Sequence, residues 1–176
     1  MTKTYLTLLS CIFLTFCSFK KEENPAQSYI DKYKDFAIVE MHRTGIPASI
    51  KLGQALIETA NGKSKLATVA NNHFGIKCKS YWKGETYFVK DDDLDENGEL
   101  MKSCFRSYDQ AFDSFIDHSN FLSLTPHYRP LFKLSKTDYK AWAHTIKACG
   151  YATAPRYADM LIKKIEQLEL YKLDSD

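Results

Sequence analysis

The chain has 176 residues, 44% of them hydrophobic and 26% charged, enough for one domain with its own core and too few for two comfortable ones. Its 24 basic residues stand against 22 acidic ones for a net charge of +2. The lysines and arginines are scattered, with no basic block that could track a phosphate backbone, so nucleic acid is not an expected partner.

The first element in chain order is not expected to belong to the fold. Lys3 precedes an apolar run from Tyr5 to Phe16, and charge resumes at Lys20. Such a run is too short to span a bilayer as a mature helix and fits the hydrophobic region of a secretory signal. We read residues 1–17 as a signal peptide, 18–27 as a linker and 28–176 as the folded domain. Leu14-Thr15-Phe16-Cys17 resembles a bacterial lipoprotein box, which makes Cys17 the lipidation candidate ahead of Cys11, although Phe16 stands where a small residue is usual. The expectation is an exported monomer, either periplasmic, attached to the outer membrane through an N-terminal lipid, or simply secreted.

Six helical patterns and one β-rich patch follow. Residues 28–43 carry an amphipathic stripe through Tyr29, Ile30, Tyr33, Phe36, Ala37 and Met41. Residues 47–60 form the second helix, with Pro47 suited to a first turn and Asn61-Gly62 as a stop. A short helix is predicted at 64–70. Residues 73–78, 85–90 and 102–108 have strand-like composition, with a hairpin turn signal at Glu96-Asn97-Gly98-Glu99. Helices resume at 109–124, 138–149 and 155–171. The organisation is a mostly helical body with a small inserted β-hairpin lobe, an α+β arrangement with a cleft between the two. Cys78 and Cys104 flank the β-rich region and could pair across it; Cys149 reads as a small buried hydrophobe. The five histidines are dispersed, and His118 with Asp113 or Asp117 reads as a solvated helix face. No glycine follows Asp95 in the Asp91-Asp93-Asp95 run, which argues against a calcium loop. No metal and no cofactor are expected.

One residue of the second helix stands out. The helical wheel puts Glu58 on a polar stripe with Lys51 and Gln54, which by pattern alone is a solvated face. Yet Glu58 lies in the last helical turn, where the dipole disfavours a negative charge, and Leu56 and Ile57 thicken its apolar surroundings. Both effects raise a carboxyl pKa toward the range of a general acid. An acid beside a cleft suits glycosidic chemistry when a second carboxylate lies across the scissile bond. Asp91-Asp92-Asp93 in the β lobe is the obvious supply. Aromatic residues make up 14% of the chain, and such rings serve a core or the lining of a sugar-binding cleft.

Taken together, QALIETANGKSKLA, NNHFGIK, YWKG, the acid run, CFRSY and GYATAPRYADMLIKKIE resemble glycoside hydrolase family 73, the bacterial endo-β-N-acetylglucosaminidases of peptidoglycan. The resemblance runs from about Ile46 to Leu170. It implies a lysozyme-like α+β fold, a glucosaminidase catalytic domain at 28–176 and peptidoglycan glycan strands as the partner. It places the catalytic acid on Glu58. The second acid falls on Asp93 counted from Trp82-Lys83-Gly84, or on Asp92 counted back from Phe105, an aspartate where the family has glutamate. Tyr151 matches the active-site tyrosine, with Tyr157 as a second candidate. Asn72, Phe74 and Trp82 match the substrate-binding segments. The implied mechanism is proton donation by Glu58, with the aspartate activating water or the substrate's 2-acetamido group attacking first. A lytic transglycosylase or muramidase on the same fold, a Cys149–His144 amidase and an inactive glycan-binding lipoprotein are the alternative readings.

Overall fold

A computed structural model describes residues 24–94 and 96–175, with the side chains of 91–94 left aside. Cys11 and Cys17 lie outside the described residues. Helix α1 spans Pro25–Thr44, three residues earlier than its apolar stripe indicates. The reason is local: Asn24 accepts a hydrogen bond from the Ala26 amide and Pro25 occupies the first turn, where a missing N–H costs nothing. Gly45 closes the helix at φ 81°, its amide bonded to the Met41 carbonyl.

Helix α2 (Ala48–Glu58) is the axis of the body, and every residue from Ala48 to Leu56 is buried. Pro47 offers its N-terminus no side-chain cap. The carboxylate of Asp174 supplies one from the far end of the chain, accepting from the Ser49 amide at 2.9 Å and the Ser49 hydroxyl at 2.6 Å. Gly53 faces α6 (Tyr157–Gln167) so closely that an added Cβ would stand 2.6 Å from Leu161 Cδ1. Here glycine permits the approach of two helices at the expense of helix propensity. After Glu58 the chain turns through Ala60, Asn61 and Gly62, all at positive φ, and Ser64 caps the short α3 (Lys65–Ala70).

The β lobe is an antiparallel pair, β1 (Thr86–Leu94) and β2 (Leu100–Arg106), in register from Thr86 opposite Arg106 to Lys90 opposite Lys102. The register then shifts, so that residues 91–93 oppose Met101 alone before Leu94 meets Leu100. The strand expected at 73–78 is not one: only a single bridge, Lys77 to Phe105, is formed. Asn72 explains the difference. Its amide donates to the Ile76 and Arg106 carbonyls and its carbonyl accepts from the Phe74 and Ile76 amides. A side chain thus takes the places a ladder would occupy. A disulfide between Cys78 and Cys104, with Cα atoms 5.3 Å apart, fastens this segment to β2.

Helix α4 (Ala111–Leu124) opens with a reciprocal capping box between Gln110 and Asp113. A 3₁₀ segment at Pro126–Lys133, not foreseen from the pattern, carries Tyr128 and Leu131 into the core. Helix α5 (Tyr139–Ala148), capped by Asp138, buries Trp142, and Cys149 is a buried free thiol. The chain's final described turn is a 3₁₀ segment at Leu170–Ser175 holding Asp174. No helix among the described residues is long and apolar enough to cross a membrane.

Removal of the Asp174 cap by Asp174→Ala is expected to cost about 1–2 kcal/mol. Thermal unfolding followed by circular dichroism should show a Tm lower by about 2–8 °C for a domain of this size.

Candidate active site

The cleft between body and β lobe has a volume of ≈ 750 Å³. Helix α2 delivers Glu58 to its floor as the helix's last residue. Six Phe and Tyr rings line the walls, Phe74, Tyr81, Phe105, Phe121, Tyr151 and Tyr157, together with the His118 imidazole. Among the described lining residues Glu58 is the single acid, and Lys77, Lys79 and Arg106 also line the cleft.

Glu58 Oε1 accepts a hydrogen bond from the Tyr157 hydroxyl at 3.2 Å, and that hydroxyl accepts from Gln54 Nε2 at 3.2 Å. Gln54 lies one turn before Glu58 on α2, so one face of the helix aims both groups at Tyr157. Burial raises the Glu58 pKa above the ordinary carboxylate value, and the Tyr157 hydrogen bond opposes this in part. Burial also raises the Tyr157 phenol, with the nearby Glu58 charge adding to it.

The polar stripe of α2 is not the solvated face its pattern suggested. Lys51 and Gln54 are fully buried. Their apolar flanks, Ile50 and Ile57 on one side and Ala55 on the other, were the available signal: a polar stripe this narrow on an otherwise apolar helix has to face other protein groups. His118 also departs from expectation. It is buried, stacked on Phe74 with ring centroids 4.0 Å apart, and its Nε2 lies 3.1 Å from the Tyr151 hydroxyl. Asp117, read with it as solvated, pairs with Arg106 at 2.7 Å and accepts from the Tyr108 hydroxyl at 2.6 Å.

Of the residues expected to contact substrate, Phe74, Tyr151 and Tyr157 line the cleft, whereas Asn72 and Trp82 do not. Asn72 is buried and fully engaged with backbone groups. Trp82 packs against the Arg106 guanidinium at 4.5 Å and donates its indole N–H to the Glu85 carbonyl. Its neighbour Tyr81 faces the cleft and accepts from Arg106 at 3.1 Å. Arg106 was missed because its role is set by contacts with Asp117, Tyr81 and Trp82, none adjacent in sequence. Asp92 and Asp93 lie in the irregular end of β1, and their side chains are outside the described residues. No cluster of potential metal ligands occurs among the described residues.

A helical body, a two-stranded lobe and an acid at the end of a buried helix define a lysozyme-like glycoside hydrolase domain. Comparison with known proteins bears this out. Residues 34–170 match the glucosaminidase family described as mannosyl-glycoprotein endo-beta-N-acetylglucosaminidase, and the chain belongs to that family of glycoside hydrolases, family 73. It is 30% identical over 152 residues to the peptidoglycan hydrolase FlgJ of Vibrio cholerae, covering 82% of this chain and 45% of that protein. It is 30% identical over 158 residues to the exo-glucosaminidase LytG of Bacillus subtilis, covering 88% of this chain and 55% of that protein. The chain thus spans about half the length of these relatives. A peptidoglycan hydrolase mutant from Sphingomonas sp. A1 superposes with a TM-score of 0.71 at 31% identity, covering 84% of this chain and 97% of that one. The catalytic domain of the Listeria monocytogenes autolysin Auto shares the fold, with a TM-score of 0.75 at 21% identity over 89% of this chain and 91% of that one.

The strained ionisation of Glu58 has a measurable consequence for stability. Its folded pKa lies above the unfolded value, so the folded state holds the proton more tightly and loses stability as pH rises through the folded pKa. Glu58→Gln removes that loss. Differential scanning calorimetry at pH 7 should show the variant melting on the order of a few °C higher, with the gap closing below about pH 4, where both carboxyl states are protonated.

Proposed function

We propose that the protein is a peptidoglycan hydrolase, an endo-β-N-acetylglucosaminidase that cleaves the β-1,4 bond after N-acetylglucosamine with Glu58 as general acid. The observation that carries this reading is the placement of Glu58: a carboxyl group with a raised pKa at the floor of a ring-lined cleft. Its similarity to FlgJ, a peptidoglycan hydrolase, and to LytG, an exo-glucosaminidase, supports the substrate class.

Protonated Glu58 donates to the leaving glycosidic oxygen. The Tyr157 hydroxyl, held by Gln54, fixes Oε1 and leaves Oε2 to carry the proton. As the bond breaks, that same hydrogen bond stabilises the new carboxylate. Asp92 or Asp93, from the end of β1, supplies the second carboxylate, to activate water or to support the oxocarbenium-like charge. Where the substrate's acetamido oxygen attacks first, the aspartate orients it instead. The rings offer faces for pyranose stacking, and Lys79 on the lining offers a positive charge to the carboxylates of muramic acid and stem peptides. Export through residues 1–17, with Cys17 lipidated, belongs to the same proposal; a fatty-acid label lost on Cys17→Ala supports the anchor, and a label retained refutes it.

The test is digestion of purified peptidoglycan, with reduced products sized by mass spectrometry. Reducible N-acetylglucosamine ends are expected, and Glu58→Gln should slow their release about 10²–10⁴-fold. Ends at N-acetylmuramic acid would make the protein a muramidase, anhydro ends a transglycosylase. Binding without release at any pH would make it a glycan-holding protein.

A further inference from the structure

From His118 in the cleft wall a chain of buried titratable groups runs inward that the hydrolytic steps above do not use. Lys51 Nζ meets the Phe115 carbonyl at 3.2 Å, the Ser119 hydroxyl, and His118 Nδ1 at 3.1 Å. The groups facing it are Glu40 and Arg43 from α1, His118 and Ser119 from α4, and the Phe74 ring, 5.3 Å from Nζ. The opposite nitrogen of His118 reaches Tyr151 in the cleft wall.

The chemistry of the partners orients these hydrogen bonds. The Phe115 carbonyl can only accept. Burial alone would raise the Glu40 pKa, but the bidentate Arg43 bonds, at 2.8 and 2.6 Å, and a hydrogen bond from Ser119 hold it below the ordinary value. Ser119 therefore gives its one proton to the Glu40 carboxylate and must accept from Lys51. Two Lys51 protons are thus committed, and only the contact with His118 stays open. An ammonium donates its third proton to Nδ1, which leaves the imidazole proton on Nε2. A neutral amine presents a lone pair instead and draws the proton to Nδ1. In the first arrangement Nε2–H donates to the Tyr151 oxygen, and the phenol proton is left for a group in the cleft. In the second the phenol donates back to His118, and the cleft loses a donor.

We propose that Lys51 is a positioning residue that sets the tautomer of His118 and, through it, keeps the Tyr151 phenol as a hydrogen-bond donor to the substrate's acetamido oxygen. This rests on the cleft being the hydrolytic site. The Phe74 ring supports it from both sides: it fixes the imidazole plane by stacking at 9°, and its face favours a cation at Nζ. His118 itself stays neutral, since burial and then the Lys51 charge push its pKa well below the usual value. Burial pushes Lys51 down to about 7, with Glu40 raising it and Arg43 lowering it. The ammonium arrangement therefore dominates below neutrality and gives way above it.

The test is ¹⁵N NMR of the purified chain carrying ¹⁵N-histidine, from pH 5.5 to 8.5, alongside digestion kinetics on soluble glycan fragments. His118 should show the Nε2–H tautomer at low pH and move toward Nδ1–H with a midpoint near that of Lys51, and the midpoint should persist in Glu58→Gln. Lys51→Met, which exchanges a buried charge for a side chain of similar length, should abolish the transition and lower kcat at pH 6 about tenfold, with KM changed less than about twofold. An Nδ1–H tautomer at low pH in the wild type, or unchanged kcat in Lys51→Met, overturns the proposal. The wild-type titration decides the matter even where the variant does not fold. Failure of the wild type to release any product would instead overturn the hydrolase reading, independently of the tautomer.

Discussion

The fold depends on a helix whose polar stripe is buried at Lys51 and Gln54 and opens to the cleft only at its last residue, Glu58. Helix α2 is enclosed by α1, α5, α6 and the last 3₁₀ segment, and it carries Lys51 and Gln54 into that enclosure and Glu58 to its edge at the cleft. A buried charge or amide without partners costs several kcal/mol, whereas a paired one is close to neutral. The surrounding elements are therefore constrained to bring partners to each of the three. Helix α4 brings the Phe115 carbonyl, His118 and Ser119 to Lys51, and α6 brings Tyr157 to Gln54 and Glu58. Apolar packing alone would tolerate a slip of α4 or α6 along α2; these directional bonds do not.

The β lobe is held to this body by a different kind of attachment. Arg106, at the end of β2, pairs with Asp117 on α4 while Trp82 and Tyr81 lie against its guanidinium. A planar, delocalised cation can make a carboxylate bond and two ring contacts at once, which a lysine could not. Asn72 ties the loop after α3 to both Ile76 and Arg106, and the Cys78–Cys104 disulfide closes the same loop onto β2. The cleft is thus bounded by two walls anchored separately, one by buried polar pairs within the body and one by Arg106 and its neighbours. Glu58 sits on the first.

These two anchorages also explain why the site carries more polar chemistry than its acid alone. Residues that orient helices, such as Gln54 and Lys51, are in contact with groups that line the cleft, such as Tyr157 and, through His118, Tyr151. Structural satisfaction and site geometry share the same hydrogen bonds. Substitutions in this network accordingly bear on both.

The sequence by itself determined the helix periods, the hairpin, the stop after Glu58 and the acid's place at a helix end, because each follows from spacing and turn chemistry over a few residues. It also carried the family, through several motifs in a fixed order. It did not determine which side of the polar stripe on α2 faces water, since a helical wheel records angles and not what lies opposite. Nor could it show that Asn72 displaces a strand, that Trp82 supports Arg106 while Tyr81 faces the cleft, or that His118 is buried between Phe74 and Lys51. Those outcomes were decided by tertiary structure, because each depends on a partner dozens of residues away whose proximity no local pattern encodes.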